Sequence, residues 1–333
     1  MKALVSSPSE GLQLLSIPEP VPNDGDVLVA PLLVGLCGTD LELIDATIDP
    51  MYVRYPLVLG HEWVGQLVAD ADGLGMAGER VVVEGIIPCG VCDACRVGDT
   101  NRCATYDEIG FTHQGALAER IAVPARLVHV LNERVTLDDA VLVEPMAVVW
   151  RALTRLPVRQ GSRVAIIGDG TIGLLAAHLV RLFAPTKVVM VGRRIAQADL
   201  ARRAGADHFV TETPEERFDL VIEAAGVAEA TSSALVLADR GATVTLLGLP
   251  AHGTKLSVRP DDLVNNDLII QGSFSYTRDA WREVVSRLNE GLLRPSFLIT
   301  HRFSIDEFDG AVAALRGTGN QVGPRGKVIV DLR

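Results

Sequence analysis

Cys89, Cys92, Cys95 and Cys103 lie in the single run PCGVCDACRVGDTNRC, with gaps of two, two and seven residues. A chain carrying this run must fold so that four thiols meet in one short loop. Four soft thiolates satisfy a tetrahedral zinc ion and leave no open coordination position. Gly90, Asp93 and Gly98 suit the irregular backbone of such a loop. A bacterial ferredoxin run shares the first two gaps, but its last gap is three residues and a proline follows; here the last gap is seven and Ala104 follows. Disulfides need an oxidising compartment, and a nucleic-acid zinc ribbon needs a basic surround. The run therefore reads as a structural-zinc lobe over residues 88–104, which stabilises the fold and does no chemistry.

The fifth cysteine, Cys37, stands alone in LCGTD, ahead of Gly60-His61-Glu62. A further carboxylate, Glu144, lies in the apolar segment VEPMAVVW. A catalytic zinc site keeps about three protein ligands and one open position. Cys37 and His61 supply the first two ligands, and Glu62 and Glu144 each offer a carboxylate whose burial without a partner would be costly. Taken singly, these residues fit a core cysteine, a satisfied histidine and two surface acids. Beside the quartet and a nucleotide turn they point to a second, open metal site.

That turn is Gly168-Asp169-Gly170-Thr171-Ile172-Gly173, which follows the apolar strand Arg163–Ile167 and opens a helix over Ile172–Phe183. Gly168 permits the tight turn, Gly170 lets the backbone approach a pyrophosphate, and Gly173 lets helix and strand pack closely. Thr171 and Ile172 begin the helix whose N–H groups face the phosphates. At the end of the second strand, Lys187–Val191, NAD-binding turns place an acid for the ribose 2′-hydroxyl. Here Gly192-Arg193-Arg194 follows. Gly192 leaves room and two guanidinium groups suit a 2′-phosphate, so NADP(H) is expected over NAD(H).

A chain of 333 residues has room for about two domains of ~150 residues. With 48% hydrophobic and 22% charged residues it can bury a core. A net charge of −11 argues against a nucleic-acid partner. The start, Met1-Lys2-Ala3-Leu4-Val5, has no secretory pattern, and the apolar stretch Leu174–Phe183 is broken by His178 and Arg181, so neither export nor membrane insertion is expected. An odd cysteine count without a signal fits a reducing, cytoplasmic setting. The first ~145 residues are short apolar runs (Leu12–Ile17, Val27–Leu33, Arg80–Val83) split by Pro and Gly, the pattern of a β-rich domain. A helix is expected near Trp150–Leu156. Beyond it, strands Arg163–Ile167, Lys187–Val191, Leu220–Glu223, Thr243–Leu247 and Leu268–Gln271 alternate with helical segments such as Ala196–Ala204. The fold class is therefore α/β, with a doubly wound parallel sheet. A helix near Ile305–Leu315 and a strand Lys327–Val330 close the chain.

The chain resembles the zinc-containing medium-chain dehydrogenases, in their alcohol, polyol and sugar branch. The resemblance rests on Cys37-Gly38-Thr39-Asp40, on Gly60-His61-Glu62 with Gly65, on the quartet and on Gly168–Gly173. It implies a GroES-like catalytic domain over 1–146, a Rossmann domain over 147–287, and a return to the catalytic domain over 288–333, in a homodimer or homotetramer. It implies two zinc ions per chain. Cys37, His61 and Glu144 would ligate the catalytic ion, with Glu62 ligating or approaching it, and Cys89, Cys92, Cys95 and Cys103 would hold the structural one. Thr39 would relay the substrate proton and Asp40 would support the site. Ala225, Gly226, Leu247 and Gly248 would line the nicotinamide ribose, and Lys327 would lie near the pyrophosphate. The usual relay histidine five residues after the ligand cysteine is replaced by Glu42, so Thr39 would pass its proton through the cofactor ribose to water or to Glu42 instead. The implied activity is hydride transfer between NADP(H) and a secondary alcohol or ketone on a small substrate, a polyol, sugar or cyclitol. A simple alcohol or a threonine-like amino alcohol is the alternative, and a non-catalytic NADPH-binding relative is the alternative of another class.

Overall fold

The computed structural model describes residues 1–69, 76–155, 158–318 and 323–333. The chain divides into two compact units. One comprises Met1–Glu144, Thr277–Val322 and Lys327–Arg333; the other comprises Pro145–Tyr276 and Gly323–Gly326.

The first unit is built round the strand Asp26–Leu36. This strand pairs antiparallel with Glu62–Leu67, with Lys327–Asp331 and, along its first part, with Ile121–Pro124. Arg80–Val83 extends the sheet beyond Glu62–Leu67, and Ile299–Ser304 runs parallel to Lys327–Asp331. Val34, Leu36, Trp63, Val328 and Val330 project into one core with Leu59, Leu117 and Ala311. A one-residue slip would turn that set towards solvent, so the register is tightly specified. It sets Gly35 opposite Glu62 and Leu36 opposite Val328. Glu62 and Lys327 therefore arrive from either side at the same glycine.

The second unit is a parallel sheet in the spatial order His208–Val210, Lys187–Val191, Arg163–Ile167, Phe218–Glu223, Ala238–Leu246, Ile269–Gly272. Its central strands are continuous apolar runs because helices cover both faces. The chain order reverses between Arg163–Ile167 and Phe218–Glu223, and ligands bind at such a switch point, beyond the carboxyl ends of the strands. The helix Thr171–Val180 starts there and buries Gly173 through Ala177 with Leu179 and Val180.

Several elements differ from the sequence expectation. The helix expected from Trp150 begins at Val143, so Glu144 and Pro145 occupy its first turn, where proline costs nothing because no N–H partner is needed. Its expected end, Leu156, lies outside the described residues. The helix Arg278–Asn289 belongs to the first unit, not to the nucleotide domain as the 147–287 boundary has it. Its Trp281, Val284, Val285 and Leu288 are buried, and Arg278 Nε lies 3.2 Å from the buried carboxylate of Glu84. Among the strands that escape sequence reading, His208–Val210 is short and Ile299–Ser304 is polar. No helix among the described residues is long and apolar enough to cross a membrane.

Candidate functional site

The short helix Gly38–Ile44 presents Cys37 as its N-cap. Cys37 Sγ accepts the Thr39 N–H at 3.3 Å, while the Asp40 carboxylate accepts the Cys37 N–H at 2.8 Å. This reciprocal cap holds the thiol at the helix N-terminus, where the exposed N–H dipoles favour a thiolate. His61 points Nε2 at the sulfur, 3.1 Å away, and turns Nδ1 to Asp40 Oδ1 at 3.5 Å. A carboxylate on Nδ1 fixes the tautomer that leaves the Nε2 lone pair for a metal. Phe111 packs on the imidazole with ring centroids 5.1 Å apart. Burial works against a charged imidazole here, but Cys37 and Asp40 outweigh it and hold the His61 pKa well above its ordinary value.

Cys37, His61 and Glu62 each offer one ligand atom within 4.8 Å of the others. A thiol, an imidazole and a carboxylate are the donor types zinc takes in catalytic sites, so this donor set fits the ion. Glu144 stands outside that group of three. Its carboxyl is pushed up to about 8 by burial and by the nearby Glu62, against the pull of His61 and Lys327. Glu62 is not free to act alone. Its carboxylate is ion-paired with Lys327, the pair is buried, and a Cβ on Gly35 would lie 2.6 Å from Glu62 Oε2 and 2.7 Å from Lys327 Cε. Lys327, expected near the pyrophosphate, is fully buried, and its ammonium engages Glu62 in the first unit. Burial opposes its charge, but Glu62, Cys37 and Asp40 raise its pKa and keep it protonated.

Glu108 escaped sequence reading, since an acid a few residues past Cys103 has no spacing that marks it. The turn Glu108–His113 packs on Gly60 and His61, so closely that a Cβ on Gly110 would meet His61 Cβ at 3.1 Å. Burial pushes the Glu108 carboxyl up to about 7, moderated by His61, and Glu108 in turn raises Glu144. Among the described residues neither Glu108 nor Glu144 has a hydrogen-bond or ion-pair partner for its carboxylate, and both are half-buried. Thr39 is half-buried in the first helical turn, and Glu42, one turn further on, is exposed.

The quartet Cys89, Cys92, Cys95 and Cys103 also converges, all four sulfurs lying within 4.8 Å of one another. Cys92 Sγ lies 3.5 Å and Cys89 Sγ 4.0 Å from Cys95 Sγ. These separations exclude disulfides and match the ~3.8 Å expected between thiolates bound tetrahedrally at ~2.3 Å. The N–H groups of Val91 and Cys92 lower Cys89 to about 6, while burial and Cys92 push Cys95 up to about 12. Four such thiols ionise together only round a cation, so this cluster fits zinc as well.

In the second unit Gly168 takes φ +117°, and a Cβ there would meet the Ala224 backbone at 2.8 Å. A Cβ on Gly170 would meet nothing within 4 Å, and no side chain caps the helix it starts. The open space and uncapped N–H groups suit a pyrophosphate. Buried Glu223 organises the next loops. Its carboxylate accepts the N–H groups of Ala225 and Gly226 at 2.7 and 2.8 Å, and its carbonyl accepts those of Leu247 and Gly248 at 2.8 and 3.1 Å. Gly192 does not leave empty room, because a Cβ there would strike Asp169 Cβ at 2.6 Å and the Phe209 ring at 2.7 Å. That contact brings Asp169 across to the second strand. Its Oδ2 accepts the N–H groups of Arg193 and Arg194, and its Oδ1 accepts Arg194 Nη2 at 2.8 Å. Asp169 thereby spends its lone pairs on orienting Arg194, while the Arg193 side chain stays exposed.

A GroES-like unit with two clusters of zinc-type ligands, joined to a dinucleotide-type sheet, defines a metal-dependent oxidoreductase class. Residues 23–133 match the alcohol dehydrogenase GroES-like domain, and residues 171–290 match the zinc-binding dehydrogenase family. The chain is 34% identical to the L-threonine 3-dehydrogenase of Streptomyces coelicolor, over 99% of both chains. It is 27% identical to the sorbitol dehydrogenase of Bacillus subtilis, over 94% of this chain and 92% of that one. The structure is similar, at a TM-score of 0.88 and 29% identity over 99% of each chain, to the NADP-bound structure of a candidate zinc-binding dehydrogenase from Sinorhizobium meliloti 1021. The chain belongs to the zinc-dependent medium-chain dehydrogenase family, the family of alcohol and polyol dehydrogenases.

Proposed function

We propose that the protein transfers a hydride between NADP(H) and a secondary alcohol or ketone on a polyhydroxylated substrate, a polyol, sugar or cyclitol, at a zinc site made by Cys37, His61 and Glu144. The convergence of the Cys37 thiol and His61 Nε2, with Asp40 behind the imidazole, carries this reading. A zinc ion bound there supplies Lewis acidity toward the substrate oxygen, and the nicotinamide supplies the hydride chemistry. Lys327 takes up the charge of Glu62. The Cys37 thiolate and the Glu144 carboxylate are then the two negative charges that balance a divalent cation. The Thr39 hydroxyl, two residues from Cys37, accepts the substrate proton as it gives up its own, which Glu42 passes to solvent. Glu108, whose carboxylate lacks a protein partner among the described residues, accepts a hydrogen bond from a neighbouring substrate hydroxyl. Arg193 and Arg194 hold the 2′-phosphate.

The similarity to L-threonine 3-dehydrogenase favours a second reading, an amino-alcohol substrate. Unpartnered carboxylates suit its ammonium group as they suit hydroxyls. A substrate panel of polyols, sugars, cyclitols, simple alcohols and L-threonine, run with NADP and NAD and followed at the nicotinamide absorbance, separates the two. We expect turnover with polyols and NADP, two zinc ions per chain by metal analysis, and loss of turnover with intact cofactor binding in His61→Ala. Full activity in a folded His61→Ala protein overturns the metal reading, and turnover of L-threonine with NAD alone overturns the substrate and cofactor assignments. Self-association belongs to the same reading. The strand Ile269–Gly272 has one neighbour among the described residues and exposes Ile269 and Ile270, an edge suited to a second copy and checked by sedimentation.

A further inference from the structure

The cysteine quartet and His61 are joined by a short ribbon within the first unit. Ile86–Ile87 pairs antiparallel with Asp107–Glu108, which sets Ile86 opposite Glu108 and Ile87 opposite Asp107. The Ile109 N–H donates to the Gly85 carbonyl at 2.9 Å and adds a rung. Beyond one end of the ribbon the lobe closes on itself: the Cys89 N–H donates to Cys103 Sγ at 3.3 Å, and the four sulfurs converge. Beyond the other end the chain turns through Glu108–His113 onto His61. The fit there is tight. A Cβ on Gly110 would lie 3.1 Å from His61 Cβ and 3.2 Å from the Gly60 carbonyl, and the next residue, Phe111, lays its ring on the imidazole at 5.1 Å between centroids. The Glu108 carbonyl accepts the N–H groups of Phe111, Thr112 and His113 at 3.1, 3.0 and 2.9 Å, which ties the turn to the end of the ribbon.

The two sides of this turn are held differently. On the outgoing side the Arg54 N–H donates to the Phe111 carbonyl at 3.0 Å, and the N–H groups of Gly115, Ala116 and Leu117 donate to the carbonyls of Val58, Gly60 and Leu59 at 2.7, 2.9 and 2.8 Å. On the incoming side Glu108–Gly110 follows the ribbon, whose strands are two residues each. An isolated two-stranded pairing is marginal in water, and the long loop between these strands adds the entropy cost of closing it. An exposed ion pair, Arg54 with Asp107 at 3.1 Å, contributes little. Four thiolates on one ion would close that loop beside the strand ends, at Cys89 and Cys103, and restrain the ribbon as a cross-link does.

We propose that the quartet is a positioning device for the second metal site: an ion bound by Cys89, Cys92, Cys95 and Cys103 fixes the ribbon, seats Glu108–Gly110 against His61, and so raises the affinity of the Cys37–His61 site for its own ion. The inference rests on the metal reading above. Groups that orient a ligand histidine are worth about 10–100-fold in metal affinity. The coupling is reciprocal, so filling the Cys37–His61 site tightens the quartet by the same factor.

Cobalt(II) titration of metal-depleted protein, followed by its sulfur-to-cobalt absorption and by hydrogen exchange, tests this without turnover. A four-thiolate site gives a stronger band than a one-thiolate site, so the two are read separately. In Cys95→Ser the Cys37–His61 site is expected to bind cobalt about tenfold more weakly. The amides of Ile109 and Gly110 should exchange faster, while those of Val34 and Val64 in the sheet stay as slow as in wild type. Asp331→Asn, which weakens the fold away from the ribbon, should keep the wild-type affinity. Within the wild-type titration itself, which does not depend on the folding of a variant, slowing of Ile109 and Gly110 should follow the quartet band. Three results overturn the coupling while the metal reading stands: wild-type affinity at the Cys37–His61 site in Cys95→Ser, an equal loss in Asp331→Asn, or exchange at Ile109 and Gly110 that does not follow the quartet band. A wild-type protein that binds cobalt at the quartet alone overturns the metal reading and the coupling with it.

Discussion

Lys327 and Glu62 form a buried ion pair beside the metal-type cluster, and such pairs contribute little net stability while both partners are present. Removing one partner leaves the other charge uncompensated. Lys327→Met should therefore destabilise the protein by about 3 kcal/mol in urea unfolding. The double substitution Glu62→Gln with Lys327→Met should recover most of that loss, because no orphan charge remains. A double-substituted protein as unstable as the sum of the two single ones would show that the residues do not act as a pair. Neither residue advertises this role. Glu62 is visible as the acid after a ligand histidine, but its counter-charge lies at the far end of the chain, and only the strand register at Gly35 brings the two together. Glu108 is silent for the same reason, since its meaning comes from a turn packed against His61.

The strand Lys327–Asp331 carries a second, acid-sensitive contact at its other end. Asp331 accepts bonds from Arg333 and Arg302, and Arg302 also reaches Asp138 at 2.7 Å. The Arg333 guanidinium, more than any other partner, lowers the Asp331 pKa from 3.8 to about 2. A carboxyl whose folded pKa is depressed adds stability above its unfolded value and loses it as pH falls through the folded one. Asp331→Asn should thus cost about 1–2 kcal/mol at pH 7, and the difference from wild type should shrink between pH 4 and pH 2. A difference that is constant over that range would exclude the ionic origin. Among the elements, those with a clear period were readable in advance. Arg163–Ile167, Lys187–Val191 and Arg80–Val83 lie where their apolar runs place them. The helix around Glu144 starts earlier than its sequence suggests, because an apolar stretch containing proline looks like a break, although proline is at home in a first turn. Nothing in the sequence of Arg278–Asn289 marks it for the first unit, because an amphipathic helix does not say which core its apolar face will meet.

Both metal-type clusters and the Glu62–Lys327 pair lie in the first unit, and the glycine turn with its arginines lies in the second. Damage to one unit's site should therefore spare binding at the other's. Cys95→Ser, or prolonged exposure to a chelator, should lower the thermal midpoint by several degrees through loss of the structural ion, roughly 2–4 °C per kcal/mol for a chain of this class. Its affinity for 5′-AMP at low temperature should not change. An unchanged midpoint in a protein depleted of metal would remove the structural role from the quartet. The class of fold, the cysteine quartet and the nucleotide turn were legible from the order of residues, because each shows in a local pattern or spacing. Which acid pairs with Lys327, and that Asp169 is turned toward Arg194, required the folded chain. Those relations join residues whose proximity comes from sheet register and buried side-chain clamps, and no local pattern encodes the partner at the other end of such a contact.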